Sequence, residues 1–379
     1  MANAWNLAVL FQQQEASFGI DPAATGSTMK HVKALPDMTF QPSIEVIERM
    51  GLVGDLVTQD HVMGPQGGKL AFKLELKASG TPAASAVAAI ASEASDLMEA
   101  AWGTVLRGTG ALTTAGSTTT SIALASGGAG FAKGMAVEIL GEVRIVTNVV
   151  ANTLTLHKAL ALGAPGTGVV VNASSRFTRA NSGHKSVTFT AKRDTGLEYT
   201  FTGCKVKAKI DGIDAKGTAV LVFEVDVGAY SRTTKASLPA SELSGVTAVK
   251  APVIKGSPLD WNGTSLMAAG LEFDPGFTLA FVETVGDLQN KAGIQATAAD
   301  PRGSIKAYYL AQNMLDVEGA APLALAMSSG TKANGWALWV PRAQLLSPQF
   351  QNRNGVVGED LPFACRDNGT DPEWAISVF

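Results

Sequence analysis

Residues 271–288 read LEFDPGFTLAFVETVGDL, and residues 38–56 read MTFQPSIEVIERMGLVGDL. Both open on an aromatic-x-Pro step (Phe273 and Pro275; Phe40 and Pro42), continue through a mostly apolar run, and close on Gly-Asp-Leu. A long two-part pattern that recurs within one chain constrains the fold more than any single motif does, because each occurrence asks for the same local surroundings. The length of 379 residues has room for such a repeat. It exceeds one ordinary core and suits about two to three domains of roughly 100 to 200 residues.

Composition narrows the class. Apolar residues make up 46% of the chain, charged residues only 17%, and there are 40 glycines; this balance suits β-structure with many turns and a surface that assembles. The net charge of -3 argues against adhesion to nucleic acid, which needs a concentrated basic face. Cys204 and Cys365 lack a near partner for a metal or redox motif and read as buried small apolar residues. The first 19 residues have neither a basic leader nor a long apolar run, so maturation in a cytoplasm, with no membrane, is expected.

Along the chain, Leu70, Phe72, Leu74 and Leu76 alternate as a half-buried strand requires. A helix follows, entered at Thr81 and Pro82, with apolar residues at three- and four-residue steps from Val87 to Ala101, and stopped by Gly103. Residues 104–176 turn rich in Gly, Thr and Ala, with short apolar runs at 121–125, 135–140, 143–150, 153–157 and 168–172, and predict a small β-module. Its GAPGTG tract (163–168) lacks the Lys-Ser/Thr of a phosphate loop and reads as a turn. Strands resume at 186–192, 197–210 and 218–228, the central one with Tyr199, Phe201 and Gly203 on one face.

Beyond a weakly periodic segment the order recurs. The second Gly-Asp-Leu is followed by a loop (289–303), a strand (304–310) and a weakly helical stretch (312–330). Residues 335–347 then line up with 197–210. In the last segment Leu361 and Phe363 fall opposite Leu221 and Phe223, and Cys365 opposite Val225. The expected organisation is a first β-sandwich or barrel unit (1–103 with 177–228), an inserted small β-module (104–176), a linker (229–262) and a second unit (263–379). The expected fold class is mainly β: two tandem units, each with a flanking helix, plus the insert.

The polar residues show no arrangement suited to chemistry. His31, His61, His157 and His184 are scattered, with no His or Cys at ligand spacing, so no metal is expected. No G-x-S-x-G elbow or Cys-His set points to nucleophilic catalysis. The pairs Glu45/Glu48 and Glu93/Asp96 read as solvated faces of a strand and a helix. Lys205, Lys207 and Lys209 share one strand face without interleaved aromatics and read as an exposed sheet side or a subunit contact. No catalytic, cofactor-binding or metal residues are expected. The candidate contact residues are Gly54, Asp55, Leu56, Gly286, Asp287 and Leu288, since the long loops after them (57–67 and 289–303) are of a length that tends to serve contact with a neighbour.

On the aromatic-x-Pro openings, the long loop before the strand at 67–80, the helix ending DLMEAAWG (96–103) and the closing GVVGEDLPFACRDNG (355–369), the chain resembles the tail tube proteins of phages with long, non-contractile tails. The resemblance implies packed antiparallel sheets flanked by a helix, assembled into stacked rings whose inner sheets join into a barrel through which DNA passes. It implies as partners further copies of the chain, a tape measure protein, and tail terminator or distal tail proteins, with DNA passing without specific binding. It places the protein in the virion after assembly in a bacterial cytoplasm. Most of the family carries one copy of the fold in a hexamer, so a doubled copy implies three chains per pseudo-hexameric ring. Another ring-forming tail or baseplate protein, such as a distal tail or hub protein, is the alternative within the structural class. A carbohydrate-binding β-sandwich adhesin is the alternative outside it, and is disfavoured by the few aromatics available for sugar stacking.

Overall fold

The computed structural model describes residues 8–22, 29–36, 38–47, 62–78, 94–193, 196–214, 217–234, 249–254, 257, 259–266, 268–285, 290–308, 321–331, 334–353 and 355–379. The protein is mainly β, with 61% of residues in strands and one α-helix among the described residues. Strands β1 (Ala8–Gln14), β2 (Lys30–Val32), β3 (Thr39–Ile47) and β4 (Val62–Glu75) lead into helix α1 (Ser95–Trp102) and β5 (Gly103–Arg107). Leu97, Met98, Ala101 and Trp102 form the buried stripe of α1, and the Trp102 indole N–H donates to the Ala208 carbonyl at 3.1 Å. The helix begins only at Ser95, while the expected entry at Thr81 and Pro82 lies outside the described residues, and it stops where the sequence expects. Gly103 takes φ 86°, and its N–H caps the Glu99 carbonyl.

Six short strands come next: β6 (Ala111–Leu112), β7 (Ser121–Ala123), β8 (Ala136–Ile139), β9 (Glu142–Val150), β10 (Thr153–Leu156) and β11 (Val170–Asn172). They form their own sheet around a separate core that includes Ile122, Met135, Val137, Ile139, Val146, Leu154 and Val171. This module is rooted in a strand pair, β5 with β12 (Ser175–Arg179).

Strands β13 (Val187–Arg193), β14 (Leu197–Asp214), β15 (Val220–Val227) and β16 (Ala229–Thr234) complete the first half. The long strand β14 serves two layers. Its first part pairs with β13 and β16, its second part with β15. Between them the inward-facing positions change from odd (Phe201) to even (Cys204, Val206, Ala208, Ile210). The change falls at a bulge where Gly203 adopts φ 60°, a conformation that suits glycine because a Cβ there is strained. One layer runs β2-β1-β13-β14 and the other β3-β4-β15-β14. Leu10, Phe72, Phe189, Phe201, Leu221 and Phe223 fill the space between them. Phe72 stacks on Phe223 at 5.1 Å.

The second half consists of β17 (Leu259–Trp261), β18 (Thr264–Leu266), β19 (Ala268–Asp274), β20 (Phe277–Glu283), β21 (Lys291–Ala299), β22 (Arg302–Tyr308), β23 (Leu323–Thr331), β24 (Asn334–Leu345), β25 (Gln349–Arg353), β26 (Val356–Cys365) and β27 (Ala375–Val378). Its pairing follows the same plan. One layer runs β18-β17-β23-β24 and the other β19-β22-β26-β24, with β25 continuing β24 along β26. Strand β24 also changes inward parity, from Trp336, Leu338 and Val340 to Ala343, across a register shift against β23. The halves then join directly: β14 pairs with β19 (Ile210↔Phe273, Ile213↔Leu271), and β12 pairs with β27 (Ser175↔Val378 to Thr178↔Ala375). The result is one extended antiparallel sheet that curls as a half-barrel.

Three sequence expectations change. Residues 289–303 are not a long loop: the described part is β21 and the start of β22, and β21 closes a hairpin with β20. The Ala-rich KAGIQATAA has little strand propensity of its own, so its partner strand supplies the order. Of the weakly helical stretch the described part is two irregular residues, Ala321 and Pro322, followed by strand β23. Leu323, Leu325 and Met327 sit at alternate positions there, and β17 and β24 pair with it on either side. Residues at both ends of the expected linker are strands, β16 on β14 and β17 on β23, while 235–248 lie outside the described residues.

Candidate assembly surface

Gly54, Asp55 and Leu56, and likewise Gly286, Asp287 and Leu288, lie outside the described residues, as does His61. The elements that lead to them are described. In the second half the apolar run after Pro275 leaves the sheet as the β20–β21 hairpin, because Asp274 and Gly276 make a turn in which the Gly276 N–H donates to the Asp274 carboxylate at 2.8 Å. In the first half the corresponding residues stay in β3, paired with β4 past an irregularity between Ile44 and Val46.

The half-barrel sheet contains an eight-strand run, β3-β4-β15-β14-β19-β22-β26-β24/β25, with an open edge at each end among the described residues. These edges carry exposed apolar side chains: Ile44 on β3 (42% exposed) and Phe350 on β25 (64%), with Val357 on β26 beside it (55%). Scattered exposed apolar residues are ordinary, but on open strand edges they invite pairing with another strand. Sequence reasoning passed over all three. Their signal, an apolar residue where a solvent-facing edge strand would carry charge, is visible only once the edges are known.

One face of the run is apolar and buried (Leu70, Phe72, Leu74; Leu221, Phe223, Val225; Val206, Ile210; Leu271, Phe273; Ile305; Leu361, Phe363). The other carries charge in cross-strand pairs. Lys205 meets Asp226 at 2.9 Å, Lys209 meets Glu224 at 4.0 Å, and Lys306 pairs with Glu272. Lys205 departs from the exposed role expected of it. It is buried, donates to the Leu279 carbonyl at 2.8 Å, and sits 4.5 Å from the centre of the Phe281 ring. Lys291 lies 4.6 Å from the same ring and donates to the Gly228 carbonyl at 2.8 Å. Burial and the neighbouring Lys205 lower the Lys291 pKa. The hairpin of the second half is thereby fastened to the first by two cations on one aromatic face.

Other polar groups serve structure. Glu15, buried, accepts from Ser186, Thr188, and the Gly19 and Gly203 N–H groups, which holds the bulge of β14 in place. Cys204 and Cys365 are free and buried, as expected, and burial raises the pKa of both thiols. Asp260 is held well below the usual carboxylate range by His157, Lys158 and Ser265, against the opposing effect of burial. Burial raises the Glu359 pKa on β26, where its Oε1 has no hydrogen-bond partner. Asp96 on α1 pairs with Lys30. A groove of about 280 Å³ at the joint of the halves is lined by Lys207, Lys209, Glu224, Asp274 and Phe277. Its charges are of both signs and spread over three strands and a turn, without a convergent acid–base or nucleophile set.

Among the described residues no group of three or more His, Cys, Asp or Glu side chains is placed to hold a metal ion. No helix there is long and apolar enough to cross a membrane. In comparisons with known proteins, no family model and no curated sequence matches the chain.

Proposed function

We propose that this chain is a structural subunit of a phage tail tube, a tandem duplication of one tube unit, and that three chains close a pseudo-hexameric ring. One observation carries the reading: strand order A-B-D-C occurs twice, as β3-β4-β15-β14 and β19-β22-β26-β24, and the last strand of the first set pairs with the first strand of the second. The internal joint is a template for the joint between chains, in which β25 of one chain meets β3 of the next. Closure removes both open edges. The second layer, α1 and the inserted module lie on the apolar side of the run, so the charged face, where the β20–β21 hairpin does not cover it, lines the channel. Lys209 and Lys306 on it are neutralised by acids on adjacent strands, which leaves DNA less to adhere to. On this reading the partners are further copies of the chain, a tape measure protein and terminator or distal tail proteins, and the site of action is the virion.

The test uses the two open edges. Thr39 on β3 and Gln351 on β25 are exposed, one at each end of the run, so cysteines placed there (Thr39→Cys, Gln351→Cys) and joined by a bis-maleimide should give covalent three-chain rings, visible by mass and by electron microscopy. Six chains per ring, or only monomers under every assembly condition, would overturn the proposal.

A further inference from the structure

The inserted module belongs to the first half by connectivity, yet the second half holds it. Ala136 and Ile145 pack with Ala326, Ala337, Trp339, Ala375 and Phe379 in a small core of their own. The Ala136 N–H donates to the Ser377 hydroxyl at 3.0 Å, and that hydroxyl donates to the Gly134 carbonyl at 3.2 Å. Gly134 takes φ 81°, and a Cβ there would lie 2.6 Å from the Ala375 Cβ and 2.8 Å from the Trp339 ring. Two polar contacts flank this seam. Lys133 pairs with Asp371 at 2.7 Å; Lys158 pairs with Asp260 at 2.9 Å, where Ser265 also donates to that carboxylate at 2.8 Å. His157 accepts the Ile145 N–H at Nδ1 (2.9 Å), which leaves Nε2 to carry its proton, 3.8 Å from Asp260.

The joint that this seam spans is short. Two short ladders join the halves: β14 and β19 share three paired positions interrupted by a register shift, and β12 and β27 share four, whereas β4 and β15 within the first half share eight. A short ladder with a bulge resists bending poorly. In the opposite direction, the β20–β21 hairpin of the second half is fastened to the first through Phe281, Lys205 and Lys291.

We propose that the inserted module is a clasp: by docking on β24 and β27 it sets the angle between the two halves. The docking shows where the insert sits, and the weak ladder shows what it braces. The clasp does not depend on ring formation, so its test is made on the isolated chain. Thr233 on β16 and Gln351 on β25 are exposed, one on each half, and both native cysteines are buried, so cysteines placed at these two positions take spin labels selectively. The parent chain should give one narrow distance distribution. The triple variant Gly134→Ala, Ser377→Ala, Asp371→Asn should lose hydrogen-exchange protection at the Ala136 amide and broaden that distribution about twofold, as expected when a two-contact joint becomes a hinge. Loss of the Ala136 protection with an unchanged distribution would make the module a passenger. Retained protection would show that these contacts do not hold it. Either result overturns the proposal. A second variant guards against misfolding: replacing residues 109–173 by Asn-Gly keeps the β5–β12 hairpin and should broaden the distribution as much. A distribution as narrow as the parent's in that variant would also overturn it.

Discussion

Strands β3 and β19 hold the same place in the two halves, but their surroundings differ. Strand β19 has β22 on one side and β14 on the other, and Leu271 and Phe273 are fully buried. Among the described residues strand β3 pairs with β4 alone, Phe40 is half-buried among Tyr199, Phe201 and Tyr230, and Thr39, Gln41, Pro42, Ser43 and Ile44 are exposed. The aromatic-x-Pro step is shared, so local sequence does not set the burial. The neighbour does, and among the described residues β3 has none on its second side.

The largest effect that separates the two strands is expected from truncating the shared aromatic. Phe273→Ala opens a cavity in the packed joint beside Trp374 and should cost about 3–5 kcal/mol in denaturant unfolding. Phe40→Ala, already partly exposed, should cost the isolated chain about 1–2 kcal/mol. If Phe40 lies at a joint between chains, its truncation should weaken assembly more than it weakens the monomer.

A second contrast lies one strand inward. Phe223 faces Phe72, and the two rings stack; Phe363 faces Gly303, and a Cβ at Gly303 would come 2.3 Å from the Phe363 ring. The halves have solved the same layer with two rings and with one ring over bare backbone. Gly303→Ala should therefore destabilise by about 1–3 kcal/mol through overpacking, seen as a lower unfolding midpoint. Equal stability of that variant would mean that the ring over Gly303 can move aside.

The clasp gives the second half an acid sensitivity. The folded pKa of Asp260 lies below its unfolded value near 4, so its contribution is fully present above about pH 4 and is lost as pH falls through the folded value. Below pH 4 the parent should lose stability more steeply than Asp260→Asn, by on the order of 2 kcal/mol across the acid limb. Glu359 works in the other sense: its raised pKa penalises the fold when it ionises, so Glu359→Gln should flatten a gain in stability that the parent shows as pH falls from neutral towards about 4. The smallest effect is expected on the charged face. Glu224 and Lys209 are exposed and 4.0 Å apart, and Glu224→Gln should change stability by no more than about 0.5 kcal/mol.

Legibility followed the range of the interactions. Apolar alternation at 70–76 and 219–227 marked strands whose inner face is buried whatever lies beside them, and Gly103 marked a helix stop that depends only on backbone conformation. The runs in 121–172 each contain a strand for the same reason. By contrast, β21 and β23 were misread as loop and weak helix, since Ala-rich segments take their state from the strands beside them. The exposed edge residues Ile44 and Phe350 were illegible because exposure depends on which strand has no neighbour.

By itself, the sequence determined a mainly β chain with an aromatic-x-Pro element in each half, two buried thiols, and a helix that ends at Gly103. These follow from side-chain periodicity and backbone sterics, which act within a few residues. Only the tertiary structure decided that the halves share a strand order, that β14 meets β19, that Lys205 is buried under a hairpin, and that the insert docks on the half to which it is not connected. Each of these joins residues far apart in the chain, where shape complementarity and the satisfaction of backbone hydrogen bonds select the partner and no local pattern records the choice.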